Sequence, residues 1–414
     1  MITVKPFYAL RPTKDLCDKC ASLPYDVMSS SEAREMVKDN PYSFLRIDRA
    51  EINLDKNVDI YSEQVYNTAR DMLKQFENDG IYVNDTEKRY YFYRQIMNGH
   101  SQTGIVGCAS IDDYLENKIK KHEFTREDKE IDRIKHVDTV SAHTGPIFLT
   151  YKDSKTLDEL IVEQTKKDPL YDFYGEDGVR HTVWTTDNSL VDAQIEDGFK
   201  NLEALYIADG HHRCASAVKV GVKRRNENKN HTGNEEYNFF LSVIFPSKSL
   251  AILDYNRLLK DLNGYTAHEF LKIVNEKIGK VTEYNENKPY KPQKKHEVGI
   301  YLENKWYKVE FYEEICKAQK AVDRLDCAIL QKYLLSEILG IDDPRTNKRI
   351  DFAGGIRGLT YLEERCQKDM VMAISMYPTS LDDLMAVADN GDVMPPKSTW
   401  FEPKLRSGIL IHKI

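Results

Sequence analysis

Apolar and polar residues alternate along residues 2–10, with Ile2, Val4, Phe7 and Ala9 on one side, which predicts a strand that stops at Arg11-Pro12. Ser29 stands three residues before Glu32, a capping-box spacing that predicts a short helix ending near Asn40-Pro41. The spacing from Val58 to Asp79 is that of a long amphipathic helix, closed by Gly80. Residues 90–96 and 103–109 read as paired strands around the Asn98-Gly99 turn. A turn at Thr144-Gly145-Pro146 leads into a strand through Tyr151, and His181–Thr185 gives another. Residues 188–202 form a helix that runs into the apolar strand Ala204–Ala208, with the strongly apolar Phe239–Phe245 expected beside it. Arg225 to Glu236 is a polar loop. Beyond it the pattern gives a helix at 267–277 and strands at 280–284, 297–302 and 306–312. Then follow an apolar helix from Leu325 to Leu339, a helix opened by Asp351–Gly355, a strand at Met370–Met376, a helix capped by Ser380, and a last strand at Gly408–Ile411. Strands and helices interleave without repeats, so the expected fold class is α+β (mixed α/β).

The apolar run 204–208 ends at Asp209-Gly210 and continues as His211-His212-Arg213 into a helix-like segment, Cys214 to Gly221. Glycine permits the tight turn, and the first helical N–H groups have no intrahelical acceptor and sit at the positive end of the macrodipole. Such a turn receives an anion; His211, His212 and Arg213 add donors, and Asp209 can hold a divalent cation or orient a histidine. A structural turn explains Asp-Gly equally well, but not two histidines and an arginine directly after a buried strand. A second basic stretch lies at 111–138. His122, Arg126, Lys129, Arg133 and His136 are spaced to fall on one face of a helix, as a ridge toward an anion or as a solvated, salt-bridged face. Asp26 precedes the capping box and serves either the helix dipole or chemistry. Near the end, Lys397, Ser398 and Thr399 follow two prolines on a stiff loop.

Composition narrows these readings. The chain of 414 residues carries 59 basic and 67 acidic residues, a net charge of −8, which disfavours a general nucleic-acid binder. The N-terminus lacks the charged-then-apolar pattern of a secretion signal, and no apolar run is long enough to span a bilayer. Seven scattered cysteines, an odd number with one C-x-x-C pair at Cys17 and Cys20, fit reduced thiols in a cytoplasm. No Walker-type loop is present.

Tyr25-Asp26, the turn Asp209-Gly210-His211-His212-Arg213 and the stretch Pro396-Lys397-Ser398-Thr399 together resemble the ParB/sulfiredoxin-like free-serine kinases, which phosphorylate the hydroxyl of L-serine with ADP or ATP. The pattern His122-Glu123-x-Thr125-Arg126-x-x-Lys129-Glu130-x-Asp132-Arg133 and the stretch Met394–Leu405 resemble the signatures of a related bacterial family of unknown function. The resemblance implies a ParB/sulfiredoxin-like nucleotide-binding core with inserted helices over 1–262, an accessory α+β subdomain over 263–320, and a segment over 321–414 that returns to the core and completes the substrate site. It implies that Asp209, Gly210, His211, His212 and Arg213 cradle nucleotide phosphates, and that Lys397, Ser398 and Thr399 bind the amino-acid substrate. By its placement Asp26 matches the general base on the hydroxyl, with Glu32 as the alternative.

The expected function is therefore phosphoryl transfer from ADP or ATP to a small hydroxyl acceptor, L-serine first, giving O-phospho-L-serine. Mg²⁺ (Asp209 being its candidate ligand) and cationic groups would hold the phosphates. His211, His212 and Arg213 would neutralise charge on the transferring group, and His122, Arg126 and Arg133 would face the phosphates. The expected partners are nucleotide and acceptor, with neither nucleic acid nor membrane. Two other classes remain: a ParB-like nucleotide-binding regulatory module, and a nucleotide or phosphate-ester hydrolase.

Overall fold

A computed structural model describes all residues, 1–414. The chain divides into two compact units, and its fold class is mixed α/β.

The first unit comprises residues 1–120, 125–250 and 403–414. Its main sheet runs Ile119–Lys120, Leu205–Asp209, Ile147–Tyr151, Phe239–Pro246, His100–Ser110, Tyr91–Met97, Arg180–Thr185, Tyr171–Tyr174, with Val4–Lys5 added beside His100–Ser110. The Asn98-Gly99 hairpin forms as the alternation predicts, in antiparallel register from Tyr91–Val106 to Met97–His100. Phe239–Pro246 does not lie beside Leu205–Asp209. Ile147–Tyr151 separates them, parallel to the former and antiparallel to the latter. Apolarity reports that a strand is buried on both faces, not which strand it joins. Leu149, Leu205, Ile207, Phe240 and Ile244 form the core with Leu157 and Ile161, Ile195 and Phe199, and Cys214 and Val218, which come from the helices Lys155–Gln164, Ser189–Lys200 and His211–Glu227. The last of these runs further than the polar composition around 225 implied, to Glu227.

A second sheet in this unit pairs Tyr82–Asn84, Ala9–Pro12, Ile411–Lys413 and Ala142–His143 in that order. It packs with the helix Glu63–Asn78, whose Val65, Ala69, Leu73 and Phe76 recur at helical spacing and meet Leu10, Phe44 and Ile411.

The basic ridge expected over 111–138 does not form. The helix Ile111–Leu115 ends, Ile119–Lys120 pairs in parallel with Leu205–Tyr206, and the next helix starts only at Glu127, with Arg126 as its N-cap. Strand pairing at the sheet edge satisfies backbone groups that a continuous helix would have satisfied locally. His122 is thus off the helix, Arg126 is exposed and ion-paired with Asp128, and Arg133 and His136 turn inward.

The second unit comprises residues 121–124 and 251–402. Its antiparallel sheet has the order Gly279–Tyr284, Lys305–Phe311, Glu297–Leu302, Met372–Met376, Tyr255–Leu259, Ile350–Gly354. One face buries Leu258, Tyr301, Trp306 and Ala373 with Leu362 of the helix Thr360–Lys368. Of residues 351–355, expected to open a helix, Asp351–Gly354 belong instead to the strand Ile350–Gly354 on Tyr255–Leu259, and Gly355 begins the short 3-10 helix Gly355–Arg357. The apolar helix after Leu325 is an α turn, Asp326–Ile329, continued by a π-helix, Leu330–Ser336.

Candidate functional site

The turn after Leu205–Asp209 has the geometry that strand, glycine and helix imply. A register shift between Ile207 and Asp209 bends the strand end. Gly210 is the N-cap of the helix His211–Glu227, at φ 87° and ψ 31°, a left-handed conformation natural to glycine. The Gly210 N–H donates to Asp209 Oδ1 at 2.8 Å, and Lys404 Nζ lies 2.8 Å from Asp209 Oδ2. Burial alone would raise the Asp209 carboxyl. The Lys404 ammonium and the Arg213 guanidinium outweigh it and hold that carboxyl well below the usual range. Lys404 is 195 residues away along the chain, and no local pattern announces it.

Arg213 Nη1 donates to the Pro146 carbonyl at 2.9 Å, which places the guanidinium under the turn. Burial opposes its charge, but Asp26, Asp209, Tyr25 and Asp48 keep it protonated. His212 Nε2 accepts the backbone N–H of Arg126 at 3.0 Å, so its proton is on Nδ1. Burial lowers the His212 pKa, against the opposing pull of Asp26 and Glu130. His211 is buried at the first helical position.

Asp26 lies exposed in the one-turn helix Tyr25–Val27, and its charge acts on both His212 and Arg213. Arg49 Nη1 donates to the carbonyls of Tyr25 at 2.8 Å and Met28 at 3.0 Å, pinning the backbone on either side of Asp26. Tyr25 is buried with the Arg133 guanidinium 4.0 Å from its ring centroid. Arg133 Nε also donates to Asp132 at 2.9 Å, so its charge is already matched. Glu32 accepts from Ser29 N and Oγ in the capping box. Arg213 lines a small cavity of about 30 Å³ together with Tyr25, Asp48, Arg133, His136, His143 and Ser407 among others, with room for a water or two. Asp48 Oδ1 and His143 Nε2 are buried there without a protein partner.

Asp26, Glu32, Asp209, Gly210, His211, His212, Arg213, Arg126 and Arg133 thus share the first unit, while His122, Lys397, Ser398 and Thr399 belong to the second. Lys397 is exposed, with its ammonium 5.5 Å from the Tyr255 ring centroid. Ser398 is buried, and its Oγ donates to the Pro395 carbonyl at 2.6 Å. Both oxygens of Asp209 are engaged, so a metal ion at the turn would share this carboxylate with Lys404.

Residues 4–328 match a family described as a protein of unknown function, DUF1015. The chain belongs to that family. No curated protein matches it. Among solved structures, the DUF1015 chain is similar to a free serine kinase variant in complex with AMP, at 15% identity and TM-score 0.38 over 72% of this chain and 90% of that one. It is also similar to C-terminally truncated SbnI from Staphylococcus aureus, at 11% identity and TM-score 0.38 over 72% and 82%. A third is a conserved hypothetical protein from Pyrococcus furiosus, at 14% identity and TM-score 0.37 over 73% and 93%.

Proposed function

We propose that this DUF1015 protein transfers a phosphoryl group from ADP or ATP to the hydroxyl of a small acceptor, with L-serine the first candidate. The observation that carries the reading is the placement of Asp26, an exposed carboxylate on a pinned turn whose charge acts on the same His212 and Arg213 that follow Gly210. Phosphoryl transfer needs positioning and charge neutralisation more than covalent chemistry from the protein. The helix N-terminus and Arg213 supply positive potential for the phosphates, and His212 Nδ1–H supplies a neutral donor. Asp26 accepts the hydroxyl proton while the acceptor oxygen bonds to phosphorus and the P–O bond to the leaving nucleotide breaks. Mg²⁺, when bound, adds neutralising charge on the phosphates, with Asp209 as its carboxylate at the turn.

The test is incubation of the full chain with Mg²⁺, labelled ADP or ATP and a panel of hydroxy amino acids. Nucleotide-dependent O-phosphoserine is expected, with Asp26→Asn lowering the rate roughly 10²–10⁴-fold while nucleotide still binds. Failure to phosphorylate serine removes the serine assignment, and phosphate release without any acceptor makes the protein a hydrolase. Full nucleotide affinity in His211→Ala counts against the phosphate turn.

A further inference from the structure

The second unit buries an arginine that has no anion. Arg257 lies on the strand Tyr255–Leu259, in register with Phe352 on one side and Ile374 on the other. It is 3% exposed. Nη1 donates to the Tyr255 carbonyl, and the guanidinium carbon lies 5.6 Å from the Phe352 ring centroid. Nε is buried without a partner. No carboxylate acts on this guanidinium; the ionisable groups that do are the Cys327 thiol and the Tyr255 phenol, and burial pushes its pKa down.

Cys327 does not supply the missing charge. Ser398 Oγ lies 2.6 Å from the Pro395 carbonyl and 3.1 Å from Cys327 Sγ. A hydroxyl has one proton, and the carbonyl takes it, so Cys327 meets Ser398 Oγ with its own proton as a neutral thiol. Burial, which raises the thiol pKa, favours the same state. An uncompensated buried cation is costly, and folds that keep one pair it with an anion. Two residues before Arg257 on the same strand, the Tyr255 ring lies under the Lys397 ammonium and meets Trp400 edge-on at 5.0 Å. Within the second unit one cation therefore meets the Tyr255 ring and the other its backbone carbonyl.

We propose that Arg257 anchors an oxyanion site in the second unit, taking a carboxylate or phosphate group on its unpartnered Nε edge, with Lys397 as the second cation. Guanidinium geometry suits either group, since both present paired oxygens. The site stands independently of the phosphate turn in the first unit.

The experiment follows alkylation of Cys327 by iodoacetamide in the full chain, read by mass spectrometry of its peptide, during titration with sodium phosphate or sodium acetate at constant ionic strength. Anion at about ten times its Kd slows alkylation about tenfold, because opening is held back by the factor 1 + [L]/Kd. Phosphate protecting alone assigns a phosphoryl ligand, acetate alone a carboxylate, and both a general oxyanion site. Arg257→Met loses the protection while melting, without anion, no lower than the parent chain. Lys397→Met, a change at an exposed residue, weakens protection severalfold, and His211→Ala leaves it intact. The proposal is overturned by protection from neither anion, by equal protection in Arg257→Met, or by a lower melting temperature of Arg257→Met without anion, which would make the arginine structural.

Discussion

At the scale of single residues, the turn rests on one backbone conformation and one distant ion pair. A Cβ at Gly210 would meet Arg213 Nε at 3.4 Å, so space allows it and the positive φ carries the penalty. Gly210→Ala should cost about 1–2 kcal/mol. Gly210→Asn should cost less, because asparagine tolerates the left-handed region. Urea denaturation of both variants checks this, and equal midpoints for alanine and glycine would contradict the geometry. The Lys404–Asp209 pair is partly exposed on the Asp209 side, which limits its worth through solvent screening. Lys404→Met and Asp209→Asn should each destabilise, with a coupling of about 0.5–3 kcal/mol in the double-mutant cycle. A coupling of zero would mean that the ammonium does not hold the carboxylate.

At the scale of elements, what was local in sequence was legible and what was set by distant pairing was not. The capping box at Ser29 and Glu32, the hairpin at Asn98-Gly99 and the glycine before His211 each depend on residues within a few positions, and each forms. The basic ridge failed because Ile119–Lys120 pairs with Leu205–Tyr206, some 85 residues on, and breaks the helix before Arg126. Residues 351–354 failed likewise, their strand being made by Tyr255–Leu259. Lys404 beside Asp209, Arg49 behind Asp26 and the unpaired Arg257 carry no sequence signal, because each is defined by what surrounds it in space. The capping box also separates two roles for Glu32. Ser29→Ala should cost about 1 kcal/mol of stability. Glu32→Gln preserves the reciprocal cap, since glutamine serves at that position. With Asp26 as the base, Glu32→Gln keeps both stability and phosphoryl transfer. Loss of transfer with stability unchanged would move the role of base to Glu32.

At the scale of the whole chain, histidine burial sets the response to acid. His136, His143, His181, His212 and His412 all have lowered pKa values, burial being the largest cause in each. His181 is pushed down to about 3, with Arg406 adding to the burial. His412 is lowered although Glu236 pulls the other way. Unfolded, each titrates near 6.5. Above that value both states are neutral at these positions and the groups leave stability unchanged. As pH falls below about 6.5 the unfolded chain takes up protons that the folded chain refuses, and each such group removes about 1.4 kcal/mol per pH unit until its folded form also titrates. The carboxylates held low do not offset this. Burial would raise Glu236, but His412 and Lys88 bring it to about 2, so its contribution is lost only when the medium is acidic enough to protonate an unfolded glutamate, below about 4.5. Urea midpoints of the full chain should therefore be level between pH 8 and 7 and fall steeply between about pH 6.5 and 5. Raising the ionic strength should change this fall little, because the proton-refusing groups are buried and screened far less than surface charges. A midpoint that stays flat down to pH 5 would mean that these imidazoles accept protons in the folded chain, and that the buried histidine pair His143–His412, 3.2 Å apart, opens to water.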